Sequence, residues 1–174
     1  MITILRLGHR LGRDDRISTH CGLVARALGA DSIIYSGEKD DKMIGSVSDV
    51  SARFGGKFSV AYEENFRKVI RDCKKKRYSV VHLTVYGLPI QNQMKKIKSS
   101  RKILVVVGGE KVPGEVYQMS DYNIAVTSQP HREVAALAIF LREYLGNKSL
   151  GKKFSRPGII IIPQARGKKV VGKK

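Results

Sequence analysis

Two loops in the second half of the chain have the residue types of a ligand-binding site. Each follows a short apolar run rich in β-branched residues, at residues 103–107 and 123–127. Such runs predict strands that are buried on both faces, as in a parallel sheet. The first run ends in Gly108-Gly109-Glu110-Lys111, and the second ends in Thr127-Ser128-Gln129-Pro130 before a helical pattern. Because ligands of open parallel sheets bind at the carboxyl ends of the strands, we expect the active site at these loops.

The common sequence motifs for phosphate and metal binding do not account for these loops. The chain has neither a G-x-G-x-x-G fingerprint nor a P-loop lysine motif. Its two cysteines, Cys21 and Cys73, are far apart, and its four histidines form no HExxH motif. We therefore expect no metal site. The residues alone indicate a basic α/β protein with a cluster of ligand-binding loops.

The charge of the chain favours a polyanionic partner. Lys and Arg number 33 against 15 Asp and Glu, for a formal net charge of +18. Such a surplus is typical of nucleic-acid binding, because neutralised phosphates release counterions. A surface adapted to heat or solubility is the alternative. The predicted RNA contacts include Arg13 and Arg16, which could equally form salt bridges in a dimer. They also include the basic run Lys74, Lys75, Lys76 and Arg77, whose charges would also suit the C-terminus of a helix.

The hydrophobic pattern predicts an α/β fold, mainly a parallel sheet flanked by helices. Further strands are expected at residues 1–7, 31–35, 57–61 and 79–84, with helices at about 17–28, 44–54, 63–76, 115–119 and 131–145. In the first helix, Ser18 or Thr19 is a candidate N-cap and Gly29 a candidate C-terminal residue. Its apolar stripe is predicted to contain Ile17, Cys21, Val24 and Leu28, with Thr19, Gly22 and Arg26 on the opposite face.

The last 28 residues differ in composition from the rest of the chain. Residues 147–174 contain nine Lys or Arg and no acidic residue, and they include the apolar segment GIIIIPQAR. We expect a main domain at 1–146 and a basic C-terminal extension at 147–174 that forms a strand or hairpin arm. This arm has three possible roles: to join a sheet, to cover a dimer partner or to bind RNA. With no apolar run of roughly 18 residues and no signal-peptide pattern, a soluble cytoplasmic protein without a membrane partner is expected.

Four segments of the chain together resemble a known family. They are LRLGHRLGRDDRISTHCGLVARALGA (5–30), VVHLTVYG (80–87), VVVGGEKVP (105–113) and NIAVTSQPHREVAALAIFL (123–141). They resemble the archaeal tRNA ribose 2′-O-methyltransferases that act on the T-loop cytidine at nucleotide 56, within the SPOUT superfamily. The resemblance implies a C-terminal deep trefoil knot within about 80–141, S-adenosyl-L-methionine as cofactor, tRNA rather than DNA as partner, and a homodimer.

The resemblance also implies which residues bind the cofactor. The glycines would let the backbone approach adenine, while Leu83, Val112 and Val126 would enclose the purine. Thr127, Ser128 and the free N–H groups before the last helix would hold the carboxylate of the methionine part. His131 would touch the cofactor or the ribose. The full set of implied cofactor-binding residues is Leu83, Gly108, Gly109, Glu110, Lys111, Val112, Val126, Thr127, Ser128, Gln129, Pro130, His131, Arg132 and Glu133.

Arg26 is the catalytic residue that the resemblance implies. Residues 19–29 resemble a family motif in which a polar residue, a glycine and an arginine share one helix, with Thr19 where Asn is usual. A free guanidinium is a poor base, since its pKa exceeds about 12. Two roles therefore stay open. Arg26 is a base, because a dry cationic site or contacts with substrate phosphates make it one, or it only orients the hydroxyl while water or phosphate takes the proton. Two other functions also stay open: methylation of another RNA such as rRNA, and RNA binding without catalysis.

Overall fold

A six-stranded, fully parallel sheet forms the centre of the protein. The computed structural model describes residues 1–109 and 111–172. The strands are β1 (Ile2–His9), β2 (Ser32–Gly37), β3 (Ser59–Tyr62), β4 (Ser79–Pro89), β5 (Ile103–Gly108) and β6 (Tyr122–Ala125). Their order is β3-β2-β1-β5-β4-β6, so the middle of the sheet is formed by β1, β5 and β4. The predicted parallel sheet flanked by helices is confirmed.

Helices cover both faces of this sheet. They are α1 (Asp15–Leu28), α2 (Asp41–Phe54), α3 (Phe66–Lys75), α4 (Ile90–Ile97), α5 (Gly114–Met119) and α6 (Glu133–Leu145). Alternate residues of β5 face opposite sides: Val105 packs in a core with α1, α2, α4 and α6, whereas Val106 packs in a core with α3 and α5. Burial on both faces explains why β5 is a continuous apolar run. Among the described residues, no helix combines the length and apolar character that a membrane span requires.

The first helix begins earlier and faces differently than its sequence pattern predicts. It starts at Asp15 with Asp14 at the N-cap position, so the predicted caps Ser18 and Thr19 are wrong. Its buried residues are Ser18, Cys21, Gly22, Ala25 and Arg26. The placement of Gly22 and Arg26 on the outer face is therefore wrong too. The physical reason is close packing, since a Cβ on Gly22 would lie 2.3 Å from Tyr35 Oη. Gly29 ends the helix in the left-handed conformation, as predicted.

The pairing of β4 with β6 contains a large irregularity. Both Leu83 and Leu88 pair with Ile124, so residues 84–87 form an excursion from the regular ladder. The chain returns very close to β6 at Gly87, where a Cβ would lie 2.5 Å from the backbone of Ile124. Since β6 ends at Ala125, Val126 and Thr127 belong to the following loop rather than to the predicted strand.

The C-terminal residues form a short helix and a hairpin beyond the main sheet. A 3-10 turn at Gly146–Ser149 is followed by β7 (Ile159–Ile162) and β8 (Lys169–Gly172), which pair antiparallel. The segment between them and α6 lies against the end of α2. Gly56 N–H donates to Ser155 O at 2.9 Å, and Gly158 N–H donates to Arg53 O at 3.0 Å.

Candidate ligand-binding site

A cavity of about 860 Å³ lies at the carboxyl ends of β4 and β5, beside the N-terminus of α6. Its walls come from β4 where the strand leaves the regular ladder, from the two glycines at the end of β5, and from the loop before α6. The volume falls within the range of about 300–1,000 Å³ that is usual for small-molecule sites. It is lined by His82, Leu83, Thr84, Val85, Tyr86, Val107, Gly108, Gly109, Val112, Tyr117, Ser128, Pro130, His131, Arg132, Glu133 and Ala136.

Most of the predicted cofactor-binding residues meet at this cavity. Leu83, Gly108, Gly109, Val112, Ser128, Pro130, His131, Arg132 and Glu133 line it. Lys111 lines an adjoining cavity that also includes Gly109. The first cavity is not lined by Val126, Thr127 or Gln129. The Thr127 hydroxyl instead accepts a hydrogen bond from the Gln129 N–H at 3.2 Å. Glu110 lies outside the described residues.

The loop before α6 presents polar groups to the cavity without protein partners. Both ring nitrogens of His131 are buried and have no hydrogen-bond partner among the described residues. The N-cap residue of α6, Arg132, makes no side-chain cap hydrogen bond. The positive end of a 13-residue helix and the half-buried His131 side chain therefore lie beside the same cavity. This arrangement suits an anionic group of a ligand.

A polar network from three elements forms the wall at β4. The His82 Nδ1 lies 2.9 Å from Asn123 Oδ1, and its ring contacts Tyr117 edge-on at 4.7 Å between centroids. The Tyr117 hydroxyl lies 3.0 Å from the Thr84 hydroxyl. Burial lowers the pKa of His82 below its ordinary value, and the hydrogen bond to Asn123 opposes this shift. The cavity therefore has a neutral imidazole in its wall at neutral pH, and the His82 Nε2 has no partner among the described residues.

A fully buried arginine on β1 supports the N-terminus of α6. Arg6 is 0% exposed, and its Nη2 lies 3.0 Å from Glu133 Oε1. The N–H groups of Nη2 and Nε are not in hydrogen-bond geometry with any described acceptor, so the contact with Glu133 is ionic. Arg6 was not among the predicted site residues, because it lies in a strand whose apolar and polar residues alternate. Beside it, burial raises the pKa of Cys21 to about 12, which keeps the thiol protonated.

A second cavity, of about 470 Å³, opens next to the first and is strongly basic. Its lining includes the four arginines Arg10, Arg13, Arg16 and Arg132. The other lining residues are Asp14, Ile17, Gly109 and Glu133. The hydrogen bond from Arg10 lowers the pKa of Asp14, so this carboxylate stays ionised and fixes the loop after β1. Arg13 and Arg16, two of the six predicted RNA-binding residues, therefore lie directly beside the first cavity.

The other predicted residues lie away from both cavities. Arg26 is 6% exposed near the C-terminus of α1, at the opposite end of that helix from the cavities. Its Nη2 donates to Gly55 O at 2.6 Å, and its Cζ lies 4.2 Å from the centroid of the Phe154 ring. Desolvation lowers its pKa. The basic run from Lys74 to Arg77 includes the last two residues of α3 and lies at the amino ends of the strands, and Lys74 is paired with Asp121 at 3.0 Å.

Solved structures with a similar architecture define the class of fold. The chain superposes on the TrmH/SpoU tRNA modifying enzyme of A. aeolicus with a TM-score of 0.64 and 14% identity, over 90% of this chain and 79% of that one. It superposes on the SpoU methyltransferase AviRb of Streptomyces viridochromogenes, solved with AdoMet, with a TM-score of 0.62 and 14% identity. That match covers 83% of this chain and 56% of AviRb. The fold is that of the SPOUT methyltransferases.

Sequence comparison gives the family within this class. The model of the family described as tRNA ribose 2′-O-methyltransferase, aTrm56, matches residues 54–171. The tRNA (cytidine(56)-2′-O)-methyltransferase of Thermococcus kodakarensis is 50% identical over 98% of this chain and 97% of its own length. The protein of the same name from Methanocaldococcus jannaschii is 49% identical over 100% of this chain and 98% of its own. The chain belongs to this archaeal tRNA ribose methyltransferase family.

Proposed function

We propose that this protein is a methyltransferase that transfers a methyl group from S-adenosyl-L-methionine to the ribose 2′-hydroxyl of cytidine 56 in tRNA. The observation that carries the proposal is the 50% identity to a relative named for this reaction, over nearly the full length of both chains. The charge of +18 agrees with a tRNA substrate, which is a polyanion. A tRNA-modifying enzyme works where tRNA is found, and we accordingly assign it to the cytoplasm.

The first cavity fits the cofactor in size and chemistry. Gly109 leaves room for a ligand, because a Cβ there would have only Arg6 Nη2 and Glu133 Oε1 within 4 Å, both at 3.8 Å or more. The unpartnered ring nitrogens of His131 and the N-terminus of α6 offer polar contacts. When bound, S-adenosyl-L-methionine supplies a sulfonium-activated methyl group, so the reaction itself needs little from the protein beyond positioning.

The chain's own residues then have distinct roles. Leu83 and Val112 offer apolar walls for the purine, and Gly108 and Gly109 let the backbone approach it. Ser128 and the N-terminus of α6 hold the carboxylate. The proposed set of cofactor-binding residues also includes Lys111, Glu110, Val126, Thr127 and Gln129. Of these, Lys111 lines the adjoining cavity. Arg13 and Arg16 are placed to hold a tRNA phosphate beside the reacting ribose.

We also propose the deep trefoil knot within about residues 80–141. True knots are rare in proteins, so this assignment rests on the family fold rather than on general rules of chain connection. Two local features support it. Residues 84–87 leave and rejoin the β4–β6 ladder at the same residue, Ile124, and only a glycine fits where Gly87 meets β6.

The main domain at 1–146 and the basic extension at 147–174 are likewise a proposal. The β7–β8 hairpin pairs only with itself among the described strands. Its exposed apolar residues, with Ile161 65% exposed and Val170 61% exposed, suit a surface that a partner covers. Among the predicted roles of the arm, these side chains favour contact with a second subunit.

A homodimer would reconcile Arg26 with a role in the reaction. Within one chain, the length of α1 separates Arg26 from the cavities, so we propose that α1 of one subunit completes the site of the other. Mixing an Arg26→Ala subunit with a Gly109→Val subunit tests this. If the sites are shared, mixed dimers regain one intact site each, and about one quarter of the wild-type activity should return. No recovery, in a mixture shown by sedimentation to contain mixed dimers, would refute the shared site.

The substrate assignment is tested by removing one oxygen atom. A tRNA transcript that carries 2′-deoxycytidine at position 56 lacks the proposed acceptor but keeps the base. We expect this tRNA to bind normally and to accept no methyl group, while a deoxynucleotide at another T-loop position leaves transfer intact. Full methylation of the position-56 deoxy transcript would refute the proposed target.

A further inference from the structure

A buried histidine and two aspartates converge where three elements begin or end. His9 is the last residue of β1, Asp15 is the first residue of α1, and Asp40 is the N-cap of α2. One ligand atom from each residue lies within 4.8 Å of the other two. The sequence analysis predicted no metal site because these residues are separated by up to 31 positions and match no metal-binding motif. We propose that they bind a divalent transition-metal ion.

The distances suit a single ion between the three side chains. The His9 Nε2 lies 3.5 Å from Asp40 Oδ2 and 4.0 Å from Asp15 Oδ1. Two donors at about 2.1 Å from one ion are about 3.0 Å apart in octahedral and about 3.4 Å apart in tetrahedral geometry. The 3.5 Å separation is close to the tetrahedral value, whereas the longer separations, all within 4.8 Å, require the carboxylates to move towards the ion.

The His9 side chain is poised as a ligand. It is 0% exposed, and its Nε2, which faces the two carboxylates, has no hydrogen-bond partner among the described residues. Its other ring nitrogen, Nδ1, lies 2.9 Å from Ser18 Oγ. A hydrogen bond on the second nitrogen is the usual support of a metal-binding imidazole, because it fixes the orientation of the ring.

Hydrogen bonds from the backbone hold both carboxylates in place, and the side chain of Asp15 leaves the cluster open to solvent. Asp40 Oδ1 accepts the Met43 N–H at 2.8 Å, which leaves Oδ2 directed at His9. Asp15 Oδ1 accepts the Gly12 N–H at 2.9 Å, and its side chain is 51% exposed. One imidazole and two carboxylates suit Mn²⁺ or Zn²⁺, with the remaining positions open to water. The ion would join the loop of Arg10 and Arg13 to α1 and α2.

The test uses Mn²⁺ and variants that keep the hydrogen bonds of the aspartates. Asp40→Asn and Asp15→Asn retain an acceptor for Met43 N–H and Gly12 N–H but remove the charge. The control is Asp41→Asn, since Asp41 is adjacent in sequence and pairs with Lys39 instead. Titration of the chelator-treated full chain, with free Mn²⁺ followed by electron paramagnetic resonance, should show one ion per chain. Each cluster variant should weaken binding at least about tenfold, and the control should not.

Imidazole coordination provides a second measurement that needs no variant. Electron spin-echo spectra of the bound Mn²⁺ should show coupling to one imidazole nitrogen. Absence of Mn²⁺ binding, loss of affinity in Asp41→Asn equal to that in the cluster variants, or bound Mn²⁺ without nitrogen coupling would each overturn the proposal. In those cases the contacts of His9 with Asp15 and Asp40 serve only to hold the three chain segments together.

Discussion

Arg6 Nη2 lies 3.0 Å from Glu133 Oε1, and this contact joins the central strand β1 to the first residue of α6. The two residues are 127 positions apart in the sequence. Arg6 is fully buried, so its charge depends on Glu133 for compensation. Because Glu133 also lines both main cavities, the pair holds the loop that carries Ser128 and His131 against the sheet.

Glu133→Gln should therefore destabilise the protein. The substitution preserves the shape of the side chain and leaves the buried guanidinium without an opposite charge. We expect a loss of about 2 kcal/mol in the free energy of unfolding, measured by chemical denaturation. The matched change Asp41→Asn removes an exposed pair with Lys39 and should cost less than about 1 kcal/mol. Equal effects of the two substitutions would show that the buried pair has no special role.

Gly109→Val should abolish most binding of S-adenosyl-L-methionine while the fold survives. A Cβ at this position makes only ordinary contacts, but the methyl groups of valine would enter the space that the proposed cofactor occupies. The dissociation constant should rise at least about tenfold in calorimetry, equivalent to about 1.4 kcal/mol. Gly114→Ala is the control, because a Cβ there meets nothing within 4 Å. Unchanged affinity in Gly109→Val would place the cofactor elsewhere.

His82 should make the protein less stable as the pH falls. Its pKa in the folded state is lowered from the ordinary value of 6.5 by burial. Above pH 6.5 the side chain is neutral in both states, and its contribution to stability is fully present. Below that pH the unfolded chain takes up the proton first, so the free energy of unfolding decreases towards the folded-state pKa.

Removal of the imidazole should remove this part of the pH dependence. The difference in melting temperature between about pH 7.5 and about pH 5 should be smaller in His82→Gln than in the wild type. His20→Gln serves as the control, because the His20 side chain is exposed. An unchanged difference in His82→Gln would show that His82 is not a source of the acid sensitivity.

The two basic clusters should differ in their effect on tRNA binding and methylation. Arg13→Ala and Arg16→Ala change residues at the second cavity. Lys75→Ala and Lys76→Ala change residues at the C-terminus of α3, near the amino ends of the strands. Each of the two cavity variants should lower the affinity for tRNA. Each should also reduce the salt dependence of that affinity by the amount expected for about one lost phosphate contact. A loss of methylation that is as large in the lysine variants would contradict the special role proposed for Arg13 and Arg16 beside the reacting ribose.

The parts of the fold that local pattern determines were predictable. Residues 103–107 are apolar without alternation and form the central strand β5, because burial on two faces leaves no polar position there. Arg6 shows where this reasoning stops. The alternating pattern of β1 suggests one solvated face, but β1 lies between β2 and β5 and is covered on both sides. Its compensating charge comes from Glu133, which no local pattern relates to it.

The site was predictable at the level of loops and less so for single residues. The rule that ligand loops gather at the carboxyl ends of strands brought Gly109 and Ser128 to one cavity, as the structure shows. Tyr117 and His82 were missed, since they enter the wall only through the packing of α5 against β4. The cluster of His9, Asp15 and Asp40 was missed for a similar reason, because three separate chain segments meet there.

The central claim is tested most directly by methyl transfer from labelled S-adenosyl-L-methionine to an unmodified tRNA transcript, followed by mapping of the labelled nucleotide. The account predicts label at cytidine 56, in a form that resists alkaline cleavage because the 2′-oxygen is methylated. Label on a base or at another nucleotide, or tight tRNA binding with no label at all, would contradict it.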